Sequence, residues 1–195
     1  MAEAPALSFQ PATAKRWADL ETLFGPRGAC FGCWCMFHRL KRSVWQAQQG
    51  EANRQAMKSL VETGQVPGLI AYDGGTPVAW VSVAPRDCFS ALATPRILKP
   101  VDELPVWSIT CFFILKAYRN RGLSIALLNA ASEYVAQQGG TVLEGYPVEP
   151  TKARYPSVYA WTGFARAFLK AGFSECARRS PTRPIMRKRL SKRLK

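Results

Sequence analysis

Residues Val106 to Val135 constrain this chain more than any other stretch. They read VWSITCFFIL, then KAYRNRGLS, then IALLNAASEYV. The first part is an unbroken apolar run rich in β-branched and aromatic residues, of a length suited to a buried strand and too short to span a bilayer. The last part has a helical period, with Leu123, Ala126, Leu127, Ala130, Ala131, Tyr134 and Val135 on one face. A basic turn, Arg119-Asn120-Arg121-Gly122-Leu123-Ser124, joins them. Strand, tight basic turn and helix make an anion site. The first N–H groups of the helix lack internal partners, and the helix dipole adds positive character at the same end. Gly122 lets a ligand approach the backbone, and two arginines add formal charge. Together these suit a pyrophosphate.

Two familiar phosphate sites are excluded. No glycine-rich loop ends in Gly-Lys-Ser/Thr, and no Gly-x-Gly-x-x-Gly follows a strand. The turn does fit Arg/Gln-x-x-Gly-x-Gly/Ala, with the small residue Ser124 in the last place. In this it resembles the coenzyme-A pyrophosphate loop of the GNAT superfamily of acyl-CoA-dependent N-acyltransferases.

The rest of the chain supplies the other elements. Leu7 to Gln10 reads as a short strand, and Thr13 as the N-cap of a helix through Phe24 that Gly25-Pro26 ends. CFGCWCMFHR, Cys30 to Arg39, has no clean period. A helix is predicted over Glu51 to Thr63. GLIAYD and TPVAWVSVAP flank Gly74-Gly75 as a hairpin. Arg86 to Leu104 is polar, interrupted by prolines, and is expected to cross the surface. After the central unit come a strand over Thr141 to Val148, a loop over Glu149 to Trp161, a helix capped by Thr162 and stopped by Gly172, and strands over Phe173 to Cys176 and Arg183 to Leu190. The predicted order, β-α-α-β-β-β-α-β-α-β-β, is an α/β arrangement, a mixed sheet with helices on its faces. It is also the element order of GNAT proteins. Ala171-Gly172-Phe173 resembles their last landmark, and CFGCWCM resembles the N-terminal CW-type segment of a bacterial branch. The fold implied is one GNAT domain over residues 1–195, with a central splayed sheet and a basic tail from about residue 188.

The resemblance implies acetyl-CoA as co-substrate and an amine as acceptor. Phe113, Ile114 and Leu115 would offer backbone groups to the pantetheine, and Arg119, Asn120, Arg121, Gly122, Leu123 and Ser124 would hold the pyrophosphate. The family often places a tyrosine acid four residues before the landmark glycine; here Phe168 stands there. Tyr146, Tyr155 and Tyr159 are other candidates for the acid. That departure admits an alternative, a non-catalytic acyl-CoA-binding or regulatory protein. For the base, Glu144 stands out in an apolar strand, on one face with Val142 and Tyr146. A carboxylate there needs a partner or a task, so an ion pair with an arginine is the other reading. Cys33, Trp34, Met36, Phe37 and His38 map to the acceptor pocket, or else to a hydrophobic staple under the first helices. Cys30, Cys33, Cys35 and His38 have ligand types zinc favours, but Cys-x-Cys spacing crowds a tetrahedron and no second Cys-x-x-Cys completes a set, so no metal is expected. A cysteine nucleophile at Cys33 or Cys35 beside His38 is a further possibility for the chemistry.

Charge narrows the partners. Among 195 residues, 27 are Lys or Arg and 13 Asp or Glu, a net charge of +14 that favours an anionic partner. No nucleic-acid motif accompanies it, so no nucleic-acid partner is expected. No apolar segment is long enough for a membrane span. Six cysteines without a signal-like start read as free thiols in a cytoplasmic protein. Many members of the family pair as homodimers, an assembly the resemblance allows here.

Overall fold

A computed structural model describes residues 7–151 and 155–191. One seven-stranded sheet runs through it: β1 (Leu7–Pro11), β2 (Gly68–Asp73), β3 (Thr76–Pro85), β4 (Trp107–Ile114), β5 (Val142–Gly145), β6 (Ser174–Arg178) and β7 (Pro184–Arg189). In space the order is β1-β2-β3-β4-β5-β7-β6. The helices are α1 (Trp17–Phe24), α2 (Arg42–Ala47), α3 (Glu51–Glu62), α4 (Leu123–Gln137) and α5 (Ala165–Lys170). This is the mixed α/β sheet that the order of elements predicts.

Both faces of the sheet are covered, which is why β3 reads as continuous rather than alternating. On one face Leu127, Leu128 and Val135 of α4, with Ala167 and Phe168 of α5, pack against Val81, Ile109 and Leu143. On the other, Leu20 and Phe24 of α1 and Met57 of α3 close over Ile70 and Trp80. Each large apolar side chain buried this way stabilises the fold by about 1.5–3 kcal/mol.

Several boundaries differ from expectation. Thr13 precedes a 3-10 turn, Ala14–Arg16, before α1 begins. α2 is an extra helix too short for its period to show. Thr162 is not the cap of α5, whose N-cap is Phe164; its hydroxyl accepts from Arg183 Nη1 at 2.9 Å instead. β5 stops at Gly145 rather than Val148, because Pro147 has no N–H for the ladder and Val148 turns away to bridge Phe164. The 86–104 crossing is not wholly superficial: Phe89 and Leu92 bury against Tyr146 and Ile185. Of the predicted basic tail, Lys188 and Arg189 end β7, and 192–195 lie outside the described residues.

The feature that positions the site is a parting of strands. β4 and β5 pair in parallel only at Trp107↔Leu143, Ser108↔Glu144 and Ile109↔Gly145. On its other edge β4 carries a bulge: Val83 faces Ile109 and Ser82 faces Cys111, leaving Thr110 as the extra residue. A bulge bends and twists its strand. From there β4 continues to Ile114 without β5 beside it.

Candidate active site

The parting strands lead to the basic bend. Gly122 caps α4 with a left-handed backbone (φ 80°), and a Cβ there would meet nothing within 4 Å. A side chain is disfavoured at Gly122 by this backbone, and would project into open space at the helix end. Ile125 N–H bonds the Gly122 carbonyl at 2.9 Å. The amides of Gly122, Leu123 and Ser124 precede any carbonyl the helix could offer them. Arg119, Asn120 and Arg121 are exposed, Arg121 over the Tyr118 ring at 5.8 Å. The bend is therefore open, with charge and helix-end amides on one short loop. Two cavities of the molecule, about 660 Å³ by Arg96, Lys99 and Arg179 and about 330 Å³ by Glu21, Trp34 and Arg54, include no residue of the bend. The candidate site is the cleft between strands.

Along the free edge of β4, polar atoms alternate. Phe112 N–H donates to the Trp161 carbonyl at 2.6 Å, and the Ile114 carbonyl accepts Arg119 Nε at 3.0 Å. Leu115 N–H points the other way, to the Val78 carbonyl of β3 at 3.1 Å, and Phe113, opposite Trp80, shares that inward direction. Of Phe113, Ile114 and Leu115, only Ile114 has backbone groups on the edge that β5 leaves.

At the closed end of the cleft lies a buried polar cluster. Glu144, 1% exposed, accepts from Arg86 Nη1 at 3.1 Å on one carboxylate oxygen and from Arg187 Nε at 2.7 Å on the other. Tyr146 donates its hydroxyl proton to Glu144 at 2.6 Å. The Tyr146 oxygen lies 2.9 Å from Ser108 Oγ and accepts from Arg86. Arg187 also donates to Asp102 at 2.6 Å. Burial, then the Glu144 charge, push the Tyr146 phenol above its usual range, so it keeps its proton. Glu144 and Tyr146 do share a face, as strand alternation requires. The ion-pair reading of Glu144 is what the geometry realises, with two arginines rather than one. Arg86, Ser108 and Arg187 are members that sequence reasoning missed.

The 30–38 segment divides. Trp34 and Met36 sink into the core under α1 and α3, Trp34 stacked on Trp17 at 5.9 Å. Phe37 and His38 turn the other way, to the Trp161 ring at 5.1 and 5.3 Å. Cys33 is pushed up to about 12, by burial first and then by Cys35, so it is a thiol at neutral pH. Cys35 is buried, accepting from Trp80 Nε1 at 3.1 Å, with its sulfur 3.4 Å from that of Cys111. Neither thiol has the electropositive, open setting a nucleophile needs. Among the described residues no trio of His, Cys, Asp or Glu is placed to hold a metal ion, and no helix is long and apolar enough to cross a membrane. Phe168, 0% exposed, packs against Phe112 and Phe173 at 6.0 and 5.0 Å. A Cβ on Gly145 would strike its ring at 2.3 Å, so this side chain is core.

His38 gives a pH prediction. Burial, then Arg183 and Arg86, lower it from 6.5 to about 4. Its folded value is depressed, so the unfolded chain binds the proton more readily, and stability is full above pH 6.5 and falls as pH drops toward 4. Between pH 7.5 and 5 His38 should remove about 2 kcal/mol. Urea denaturation at both values checks this, with His38→Gln losing that much less than the parent chain.

The acetyltransferase (GNAT) family profile matches residues 34–160. The chain belongs to the GNAT acetyltransferase family. No curated protein matches it by sequence. Among solved structures it is similar to the PaiA N-acetyltransferase of Thermoplasma acidophilum in complex with coenzyme A, at 10% identity and TM-score 0.53, covering 94% of this chain and 99% of that one. YncA of Salmonella typhimurium, with acetyl-CoA, matches at 14% and 0.53 over 95% of each chain. A GNAT acetyltransferase from Listeria monocytogenes matches at 9% and 0.58 over 96% and 99%. At such identities the likeness is one of fold, and this GNAT protein shares it over 94–96% of its length.

Proposed function

We propose that this protein is an N-acetyltransferase that moves an acetyl group from acetyl-CoA directly to a primary amine in a ternary complex. The observation that carries the reading is the parting of β4 from β5 after Ile109, which leads to the Arg119–Ser124 bend at the start of α4, exposed from Arg119 to Gly122. The bend suits the pyrophosphate, and the edge of β4 at Ile114 suits the amides of the pantetheine. Two structural relatives were solved with coenzyme A or acetyl-CoA.

In the step itself the amine nitrogen attacks the thioester carbonyl carbon. The C–N bond forms, the C–S bond breaks, and sulfur leaves with the bonding pair to take up a proton from water; the hydroxide so formed is neutralised when Glu144 gives up the proton taken from nitrogen. The nitrogen must lose one proton. Ser108, Tyr146 and Glu144 form a hydrogen-bonded file, with gaps of 2.9 and 2.6 Å, at the closed end of the cleft. A proton accepted at Ser108 leaves each hydroxyl restored and Glu144 protonated. Glu144 is then the terminal base, acting through Tyr146 rather than on substrate, and its two arginines fix that arrangement. With Phe168 in the core, the thiolate departs without a tyrosine acid at that position. Coenzyme-A thiolate is a good enough leaving group for this.

Thermal unfolding with acetyl-CoA tests the reading. Ligand at about a hundred times its dissociation constant adds roughly 2.7 kcal/mol, or about 5–10 °C for a domain of this size. Thiol release over a panel of amines then separates a transferase from a binding protein. No shift with acetyl-CoA or with coenzyme A would remove the proposal.

A further inference from the structure

Resting on the acetyl-transfer reading above, the charge pattern around the cleft points to the class of acceptor. Four guanidiniums, Arg39, Arg86, Arg183 and Arg187, gather near its closed end, and the carboxylates there are Glu144 and Asp102. Glu144 pairs with Arg86 at 3.1 Å and Arg187 at 2.7 Å, and Asp102 pairs with Arg187 at 2.6 Å. Arg183 has no carboxylate within salt-bridge distance among the described residues; its guanidinium donates to the Thr162 hydroxyl at 2.9 Å. Arg39 is likewise without a carboxylate, but its guanidinium lies over the Phe89 ring at 4.5 Å and donates to the Pro67 carbonyl at 3.2 Å, so Arg183 is the unmatched charge next to Trp161. The nearby Glu149 is matched separately, by Arg178 at 2.6 Å.

Two further observations place that charge at the cleft. Thr162 follows Trp161, whose carbonyl takes the Phe112 N–H on the edge of β4 just past the end of β5. The Trp161 ring lies 5.3 Å from His38. His38 is 7% exposed, and its Nδ1 is buried without any hydrogen-bond partner. A neutral imidazole carries one N–H, and either nitrogen can bear it. A buried polar nitrogen left unpaired costs about 1–3 kcal/mol, and in the tautomer that carries the hydrogen on Nδ1 it is met by an acceptor oxygen that the chain does not supply. His38 comes from the loop after α1, Trp161 and Thr162 from the loop after β5, and Arg183 from the turn before β7, so the three converge from separate segments.

We propose that the acceptor is an amine that also carries a carboxylate, with that carboxylate on Arg183 and His38 Nδ1 beside the Trp161 ring and its amine turned toward the thioester. A carboxylate has two acceptor oxygens, enough to meet the Arg183 guanidinium and the His38 ring nitrogen together. Its carboxylate offsets the charge of its ammonium group, so such an acceptor escapes the repulsion that a net charge of +14 imposes on a polyamine or another purely cationic amine.

The test is thiol release from acetyl-CoA with matched pairs, each an amino acid and its carboxamide, extended to β- and γ-amino acids. The expected result is at least one carboxylate-bearing amine whose kcat/KM exceeds that of its amide by about ten- to hundredfold, the range of a charge-assisted hydrogen bond. Arg183→Gln should bring that ratio close to one, and Arg183→Lys should restore part of it. A merely structural arginine would lower both members of a pair alike and leave the ratio unmoved. Should Arg183→Gln fail to fold, the ratio measured on the unaltered protein decides. Amides used as well as or better than acids would overturn the proposal, as would a chain that acetyl-CoA stabilises but that accepts no carboxylate-bearing amine. Loss of the acetyl-CoA shift itself would instead overturn the transferase reading beneath it.

Discussion

Glu144→Gln is expected to lower the stability of the fold by about 3–5 kcal/mol, the cost of removing one partner from a buried ion pair. The carboxylate is 1% exposed, and the side chains of Arg86 and Arg187 are 15% and 12% exposed. Glutamine keeps the shape and one acceptor oxygen but leaves two buried guanidiniums with half their counter-charge. Arg187 retains Asp102, whereas Arg86 retains only neutral partners, the Tyr146 hydroxyl and the carbonyls of Leu92 and Leu98. Against a total of about 5–15 kcal/mol this is a large fraction, and a melting point lower by on the order of 10 °C follows. Burial of charge, and not packing, is the source, so replacing Glu144, Arg86 and Arg187 together by methionine should cost less than the single change. Calorimetry on the two variants checks both statements. A Glu144→Gln melting point within about 2 °C of the parent would mean that water reaches the arginines and the cluster is not dry.

That cluster also shows where the sequence was legible. Glu144 can be singled out because a lone charge in an apolar strand breaks a local pattern, and its sharing a face with Tyr146 follows from alternation alone. Its partner Arg187 cannot be found the same way. The pairing Glu144↔Arg187 exists because β7 inserts between β5 and β6, a long-range order that no local period encodes. The central strand, bend and helix were readable because each obeys its own period and Gly122 punctuates them. Residues 29–35 were not. Ala29, Phe31, Gly32, Trp34 and Cys35 all have positive φ, so the backbone changes hand repeatedly and neighbouring side chains go to different places. Hence Trp34 and Met36 enter the core while Phe37 and His38 face Trp161. The end of β5 was misplaced for a simpler reason: apolar Val148 continues the pattern, but Pro147 before it cannot donate to the ladder.

Arg121→Glu should abolish the stabilisation by acetyl-CoA while leaving the unliganded protein as stable as before. The side chain is exposed, its described contact being the Tyr118 ring at 5.8 Å, so its loss alone changes stability by no more than about 0.5 kcal/mol. Toward a pyrophosphate the change acts twice. It removes a charge-assisted contact of about 1.5–3 kcal/mol and sets a carboxylate against the phosphates, a repulsion of similar size. Together they amount to about 4 kcal/mol, or roughly a thousandfold in affinity. Arg121→Ala removes only the first part and should weaken binding by about ten- to hundredfold. Raising the salt should narrow the gap between the two variants, since exposed charges at this bend are screened within about 10 Å at 0.1 M ionic strength. Titration followed by thermal shift gives all three quantities. If Arg121→Glu binds acetyl-CoA as the parent does, the phosphates lie elsewhere, and the cleft between β4 and β5 loses its claim to the thioester.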